Sequence, residues 1–201
     1  MRPLTLDDLL PLGDFASQRR ELFAAHCRYL DRYRRVRIGP RLTLLFENRQ
    51  TLWFKVQDVL RIARLSDPVR LQEELLVYNR LLPGRQQLQA ALLIDIQDET
   101  NLTHELAFWG NLPADALRLH LGDRTYPSRL ITCRPEDRCN GTAHWVQFTL
   151  DAIARERLPD ARHPACIELA DDAYPHQSPP LSSEIRQSLL EDLQMSDRQA
   201  A

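Results

Sequence analysis

Residues 41–47 alternate, with Leu42, Leu44 and Phe46 on one side and Thr43, Leu45 and Glu47 on the other, the period-two pattern of a half-buried strand. The pattern stops at Asn48. An amphipathic helical pattern follows at once, from about Gln50 to Arg64, with Leu52, Val56, Val59, Leu60 and Ala63 on its apolar face. Upstream, Thr5 with Asp8 three residues on has the form of a capping box for a short turn ended by Pro11 and Gly13. Asp14 is then placed to cap a long helix to Tyr33, with Phe15, Leu22, His26, Leu30 and Tyr33 near one face, and Gly39-Pro40 breaks the chain.

The next helix has the plainest start in the chain, with Asp67 at the N-cap and Pro68 in the first helical position. Leu71, Leu75, Tyr78 and Leu82 form its stripe, and Pro83-Gly84 ends it. Residues 88–97 read as a strand with Leu88, Ala90, Leu92, Ile94 and Ile96 toward a core, and Asp95 and Gln97 facing away. Leu102 to Trp109 reads as one short helix. Residues 116–122, 125–132 and 143–150 read as three strands, with a charged connection over Arg134 to Asn140 and a turn signal at Asn140-Gly141. Residues 151–164 are polar and proline-broken, 165–170 suggest an edge strand, and 174–180 a loop. Ser182 or Ser183 caps a last helix with Ile185, Leu189 and Leu193 on one face.

Helices dominate the first part and strands the second, without regular βαβ alternation. This predicts an α+β fold, a mainly antiparallel sheet with helices packed on one face. A chain of 201 residues suits a single domain. We expect an α+β core over residues 1–150 and a C-terminal extension over 151–201, an edge strand and the last helix, packed on that core.

Composition narrows the function little. A formal charge of −2 gives no global case for nucleic acid or for a membrane surface. The cations are nearly all arginine, Lys55 being the only lysine, which reads first as genome composition and second as selection for bidentate anion contacts. No apolar segment follows Met1, and no run approaches the length of a bilayer span. A cytoplasmic location is therefore expected, with Cys27, Cys133, Cys139 and Cys166 as thiols.

Two polar constellations stand out. Arg19, Arg20, Arg28, Arg32, Arg34, Arg35, Arg37 and Arg41 face only Glu21 and Asp31 in the same stretch. Guanidinium forks suit phosphate or carboxylate, so Arg34, Arg35 and Arg37 are candidates for an anion or an acidic partner, against the plainer reading of a solvated helix face. The second lies at the strand-to-helix junction, where Glu47 and Asn48 have Arg41 and Arg49 near in sequence and Gln57, Asp58 and Arg61 on the following helix. Tyr78 and Asn79 on the next helix complete this candidate site. Its carboxylate could act as a general base or a ligand; structurally, Asn48 would cap the helix and Glu47 would pair with Arg41, Arg49 or Arg61. Glu73 and Glu74, with Tyr78 four residues beyond Glu74, read as dipole-complementing acids before acid–base groups. Cys133, Cys139, His144, His163 and Cys166 lack zinc-knuckle spacing, and no Glu-x-x-His, nucleophile elbow or glycine-rich phosphate loop occurs. No metal or cofactor is expected.

The runs RRVRIGPRLTLLFENRQTLWFKVQDVLR, LQEELLVYNRLLPG and ALLIDIQD, with HWVQF at His144–Phe148, resemble a bacterial family known as domain-of-unknown-function family 3501, over about residues 4–150. Where that family carries a glutamine-glutamate-methionine pattern, this chain reads Gln57-Asp58-Val59, so an acidic role would fall on Asp58. The resemblance implies a role beside peroxide or iron–sulfur redox chemistry, with rubrerythrin or an iron–sulfur protein as partner. Taken together, these features favour a non-catalytic accessory protein using the arginine-rich surface and the Glu47 region. The alternatives are a small enzyme with Glu47 or Asp58 as acid–base and arginines holding an anionic substrate, and a homo-oligomeric structural module.

Overall fold

The computed structural model describes residues 1–96, 99–131 and 143–198; Gln97, Cys133, Cys139, the Arg134 to Asn140 connection and the Asn140-Gly141 turn lie outside them. The elements run α1 (Leu12–Tyr33), β1 (Arg35–Ile38), β2 (Leu42–Glu47), α2 (Arg49–Ile62), α3 (Pro68–Asn79), β3 (Gln87–Ile94), α4 (Leu102–Gly110), β4 (Leu117–Leu121), β5 (Arg124–Leu130), β6 (Ala143–Thr149), α5 (Ala152–Arg157), β7 (Ala165–Leu169), β8 (His176–Gln177) and α6 (Ser183–Arg198). The mixed class and the antiparallel pairing agree with the sequence pattern. The architecture differs. The eight strands, in the order β1-β2-β3-β6-β5-β4-β7-β8, curl into a nearly closed barrel rather than a sheet with helices on one face.

Strand β5 makes the corner. Its residues 124–127 pair with β4, whereas Ser128, Arg129 and Leu130 pair with β6. Pro127, which has no N–H to give a ladder, sits where the partner changes. At the seam, the Tyr174 hydroxyl does the joining. It accepts from the Arg41 backbone N–H at 2.9 Å and donates to the Ile38 carbonyl at 3.3 Å, tying the segment after β7 to the β1–β2 turn.

Alternation along paired strands fills the barrel. Leu44, Leu92 and His144 lie in one inward row, and Phe46, Ala90 and Val146 in the next. The apolar members of these rows belong to one buried cluster that also takes in Leu119, Ile167, Trp109 and, from α6, Ile185, Leu189 and Leu193. His144 is itself buried, and that burial lowers its pKa. A smaller cluster of Leu4, Leu52, Val56, Leu60 and Leu75 lies outside the barrel, under α2 and α3.

Several elements depart from the sequence reading. The arginine cluster contains a strand, β1, with Val36 and Ile38 buried and Arg37 exposed. Residues 165–169 form β7, which β8 flanks on its outer side, so β7 is not the edge. Residues 152–157 form α5, capped by Asp151 through the Ala154 N–H at 2.7 Å. Buried Arg186 of α6 donates to the carbonyls of Leu158, Arg157, Asp160 and His163 and so fixes the segment after α5.

Gly39 takes φ +62° at the seam, and a Cβ there would fall 2.3 Å from His176 Cδ2 and 2.6 Å from the Tyr174 hydroxyl. His176 is stacked on Tyr174 with centroids 3.9 Å apart, so it has little room to yield. Gly39→Ala should therefore cost on the order of 1–3 kcal/mol, read as a lower urea midpoint. An unchanged midpoint would mean that this stack does not hold the seam.

Candidate functional site

The polar centre of the molecule is Arg34, the residue between α1 and β1. Only 2% of it is exposed. Its backbone carbonyl accepts from Phe46 N at 3.0 Å, which fixes it against β2. Its guanidinium pairs with Asp192 of α6 and donates to the Ser188 hydroxyl at 2.6 Å and the Tyr29 hydroxyl at 3.0 Å. Asn48 completes the group. Its Oδ1 caps α2 by accepting from the N–H groups of Gln50 and Thr51, while its amide donates to Tyr29 at 2.9 Å and Asp192 at 3.3 Å. Burial raises the pKa of the Asp192 carboxyl, and Arg34 and Asn48 offset only part of that rise. The donors that face it are those a carboxylate needs.

This network forms the floor of an open cleft of about 570 Å³ whose walls include Asp8, Arg49, Gln50, Trp53 and Glu191. A second lobe of about 670 Å³ shares Tyr29, Gln50 and Glu191 with it, so the two form one groove along α6. Of the expected residues, Arg34, Asn48 and Arg49 are brought together here. Tyr29, Ser188 and Asp192 were not expected. Asp192 carried a readable signal, since it lies at i+7 from Ile185 and is the one acid on the face that carries Ile185, Leu189 and Leu193.

The other expected residues are engaged separately. Glu47 is buried as expected, at 2% exposure, but its partner is Lys55 of α2 and not an arginine; Thr51 Oγ1 also donates to it at 2.5 Å. Strand β2 turns Glu47 outward beneath α2, and Lys55, two turns along that helix, stands over it. The Lys55 ammonium lies 4.8 Å from the Trp145 ring centroid. Asp58 binds Arg19 and Arg61, joining α1 to α2. Buried Gln57 donates weakly to the Leu10 carbonyl, Asn79 exchanges hydrogen bonds with the Leu4 backbone, and Tyr78 packs in the outer cluster. Arg41 pairs with Glu105 and lies over Trp109, and Arg35 pairs with Asp31. Of the proposed anion trio only Arg37 is exposed, beside Arg35 and Arg41 on a smaller cleft.

The chain matches the family model described as a protein of unknown function, DUF3501, over residues 3–193. It belongs to the DUF3501 family. The match runs beyond the residues 4–150 carried by the sequence resemblance, and it includes Asp192 as well as Arg34 and Asn48. A crystal structure of a novel protein of unknown function from Burkholderia pseudomallei K96243 is similar in fold, with TM-score 0.84 and 29% identity over 96% of this chain and 100% of that one. No curated protein matches.

Elsewhere, the DUF3501 chain shows cross-strand polar pairs. His120 Nε2 meets Glu168 Oε2 at 2.8 Å, and its Nδ1 meets the Thr125 hydroxyl at 3.0 Å, on the outside of β4, β5 and β7. Thr125 is the direct register partner of His120, so pairing alone accounts for that contact. Among the described residues no three His, Cys, Asp or Glu side chains are placed to hold a metal ion, and no helix is long and apolar enough to cross a membrane.

Two predictions follow from these pairs. Lys55→Met leaves a buried carboxylate with only a hydroxyl, whereas Glu47→Gln leaves an ammonium whose side chain is 28% exposed. Lys55→Met should thus approach the roughly 3–5 kcal/mol cost of a broken buried pair, Glu47→Gln should cost less, and Glu73→Ala on exposed α3 almost nothing. Urea midpoints in the reverse order would refute this assignment. The second prediction concerns Asp8. A hydrogen bond from Arg49, aided by the Thr5 N–H, holds its carboxyl at about 2. That lies below the ordinary value of about 3.9, so the stabilisation is complete above the ordinary value and lost as pH falls toward 2. A carbon-detected titration of the Asp8 carboxyl should show this low midpoint, and Arg49→Gln should raise it.

Proposed function

We propose that this DUF3501 protein is a non-catalytic accessory protein that binds a small ligand in the groove floored by Arg34 and Asp192. The observation that carries this reading is that the charged pair of the floor, and the Asp8–Arg49 pair of the adjoining wall, are already made. Arg34 meets Asp192, and Arg49 meets Asp8 at 2.6 Å. Such a floor supplies shape and oriented hydrogen-bond groups, which suits recognition. An acid–base mechanism needs a group left free to exchange a proton at the substrate, and pairing removes the strongest candidates from that task. The groove also stands on rigid elements, with the α2 N-cap and the α1–β1 junction fixed through their backbones. The family resemblance supports placing this binding role beside peroxide or iron–sulfur redox proteins.

The test is amide chemical-shift mapping of the full chain against a library of small polar fragments. Shifts should converge on Tyr29, Gln50 and Glu191, and Gln50→Trp, which fills the groove from an exposed position, should abolish them. Fragments that map to another surface, or that still bind the Gln50→Trp chain, would overturn the reading.

A further inference from the structure

Helix α3 is apolar on two opposite faces. Leu71, Leu75 and Tyr78 turn inward and pack in the outer cluster. The reverse face carries Val69, Leu76 and Val77, which are 67%, 56% and 50% exposed. A surface helix ordinarily turns charged and polar side chains that way. The other exposed large apolar side chains, such as Leu6, Phe23, Leu102 and Ile153, occur one to an element, and scattered singly they need no explanation. The three on α3 are presented by a fixed helix. Asp67 caps it through the Arg70 N–H at 3.0 Å, and Asn79 ties its end to the Leu4 backbone.

Two charges on the same face indicate what covers it. Glu73 stands four residues after Val69, and Arg80 four after Leu76, so both join the exposed stripe. Both are exposed, and neither has an ion-pair partner among the described residues. They lie two turns apart, about 10 Å along the axis, too far to pair with each other. The midpoint between them falls between Leu76 and Val77. A second α3 laid antiparallel about a two-fold axis through that midpoint brings Glu73 of each copy level with Arg80 of the other. It also sets Leu76 against Val77. A parallel arrangement would oppose Glu73 to Glu73 and Arg80 to Arg80. The face is thus complementary to itself in one orientation, which is what an isologous contact requires.

We propose that this chain forms a two-fold symmetric dimer through the outer face of α3, with Leu76 and Val77 at its centre and reciprocal Glu73–Arg80 ion pairs on either side. The dimer face is independent of the groove, none of whose lining residues lies on α3. A helix of 12 residues is about 18 Å long. Two such helices bury less than the roughly 1,600 Å² of a standard interface, so the dimer is a weak one, dissociating on the order of 10–100 µM. At the low micromolar concentrations of an unfolding titration the chain is therefore a monomer, and Glu73→Ala leaves the urea midpoint unchanged.

The experiment is sedimentation velocity of the full chain from low micromolar to several hundred micromolar. The mass should rise from 23.4 kDa toward twice that value. Leu76→Glu places a charge at the centre of the contact and should weaken association at least tenfold. Glu73→Arg sets arginine against arginine at both ion pairs and should weaken it roughly tenfold. Glu73→Arg/Arg80→Glu rebuilds both pairs in reverse and should recover the original dissociation constant, a rescue that a merely structural role for either residue does not produce. All three positions are exposed, so the variants should keep the circular dichroism of the unsubstituted chain. A chain that stays monomeric throughout leaves the face to a different partner and overturns the proposal. A dimer that Leu76→Glu does not weaken uses another surface and overturns it too. A double exchange as weak as Glu73→Arg alone would do the same, because the pairing is then not reciprocal.

Discussion

A guanidinium removed from water has to meet its counter-charge inside the protein, and Arg34 meets it on Asp192, 158 residues along the chain. That pairing joins the end of α1, the start of β1, the cap of α2 and the last helix. It is not the source of the attraction that holds α6. Ile185, Leu189 and Leu193 each gain roughly 1.5–3 kcal/mol from burial in the barrel cluster, whereas a buried ion pair offsets much of its own attraction by desolvation. What the pair adds is discrimination. A rotation or one-turn slip of α6 would keep much of its apolar contact but strand both charges, so the pair selects one placement of the helix.

The same logic governs the other arginines. Read along the sequence, those from Arg19 to Arg41 form a belt suited to an external anion. In the fold, arginines of the belt and beyond it connect elements: Arg19 reaches Asp58 between α1 and α2, Arg41 reaches Glu105 of α4, and, further along the chain, Arg157 reaches Asp123 and Arg186 gathers four carbonyls. Planar forks with several donors suit these multi-contact roles. Lys55 is the exception. A compact ammonium can stand over Trp145 and still reach one oxygen of Glu47, where a guanidinium would present a broader plane.

Local signals were legible because they depend on neighbours in sequence. The Thr5–Asp8 capping box, the Asp67-Pro68 helix start and the inward faces of β2 and β3 lie where the pattern places them. Barrel closure was not legible. It depends on Pro127 at a partner change and on Tyr174 crossing the seam, and neither contact has a local periodicity. The candidate site divides the same way. Asn48 as a cap and Glu47 as a buried acid follow from a strand ending in a helix, whereas the Glu47 partner depends on which turn of α2 overlies β2. Asp192 was visible as a charge on an apolar face, but its partner lay beyond any sequence window.

The division of labour between the two packed regions explains why the groove can vary chemically without threatening the fold. The barrel interior is filled by interlocking rows of aliphatic and aromatic side chains, and residues such as Leu44, Leu119 and Ile167 have no contact with water. The groove lies outside it, between α1, α6 and the start of α2, and only its floor is made of buried polar groups. Its walls, including Gln50, Glu184 and Glu191, are exposed, where substitution changes stability little. The floor therefore constrains the position of the helices, and the walls are free to set what the groove recognises. Because α6 closes the core with Ile185, Leu189 and Leu193 and lines the groove with Gln187, Ser188 and Glu191, any ligand held there would couple occupancy of the groove to the stability of the whole domain.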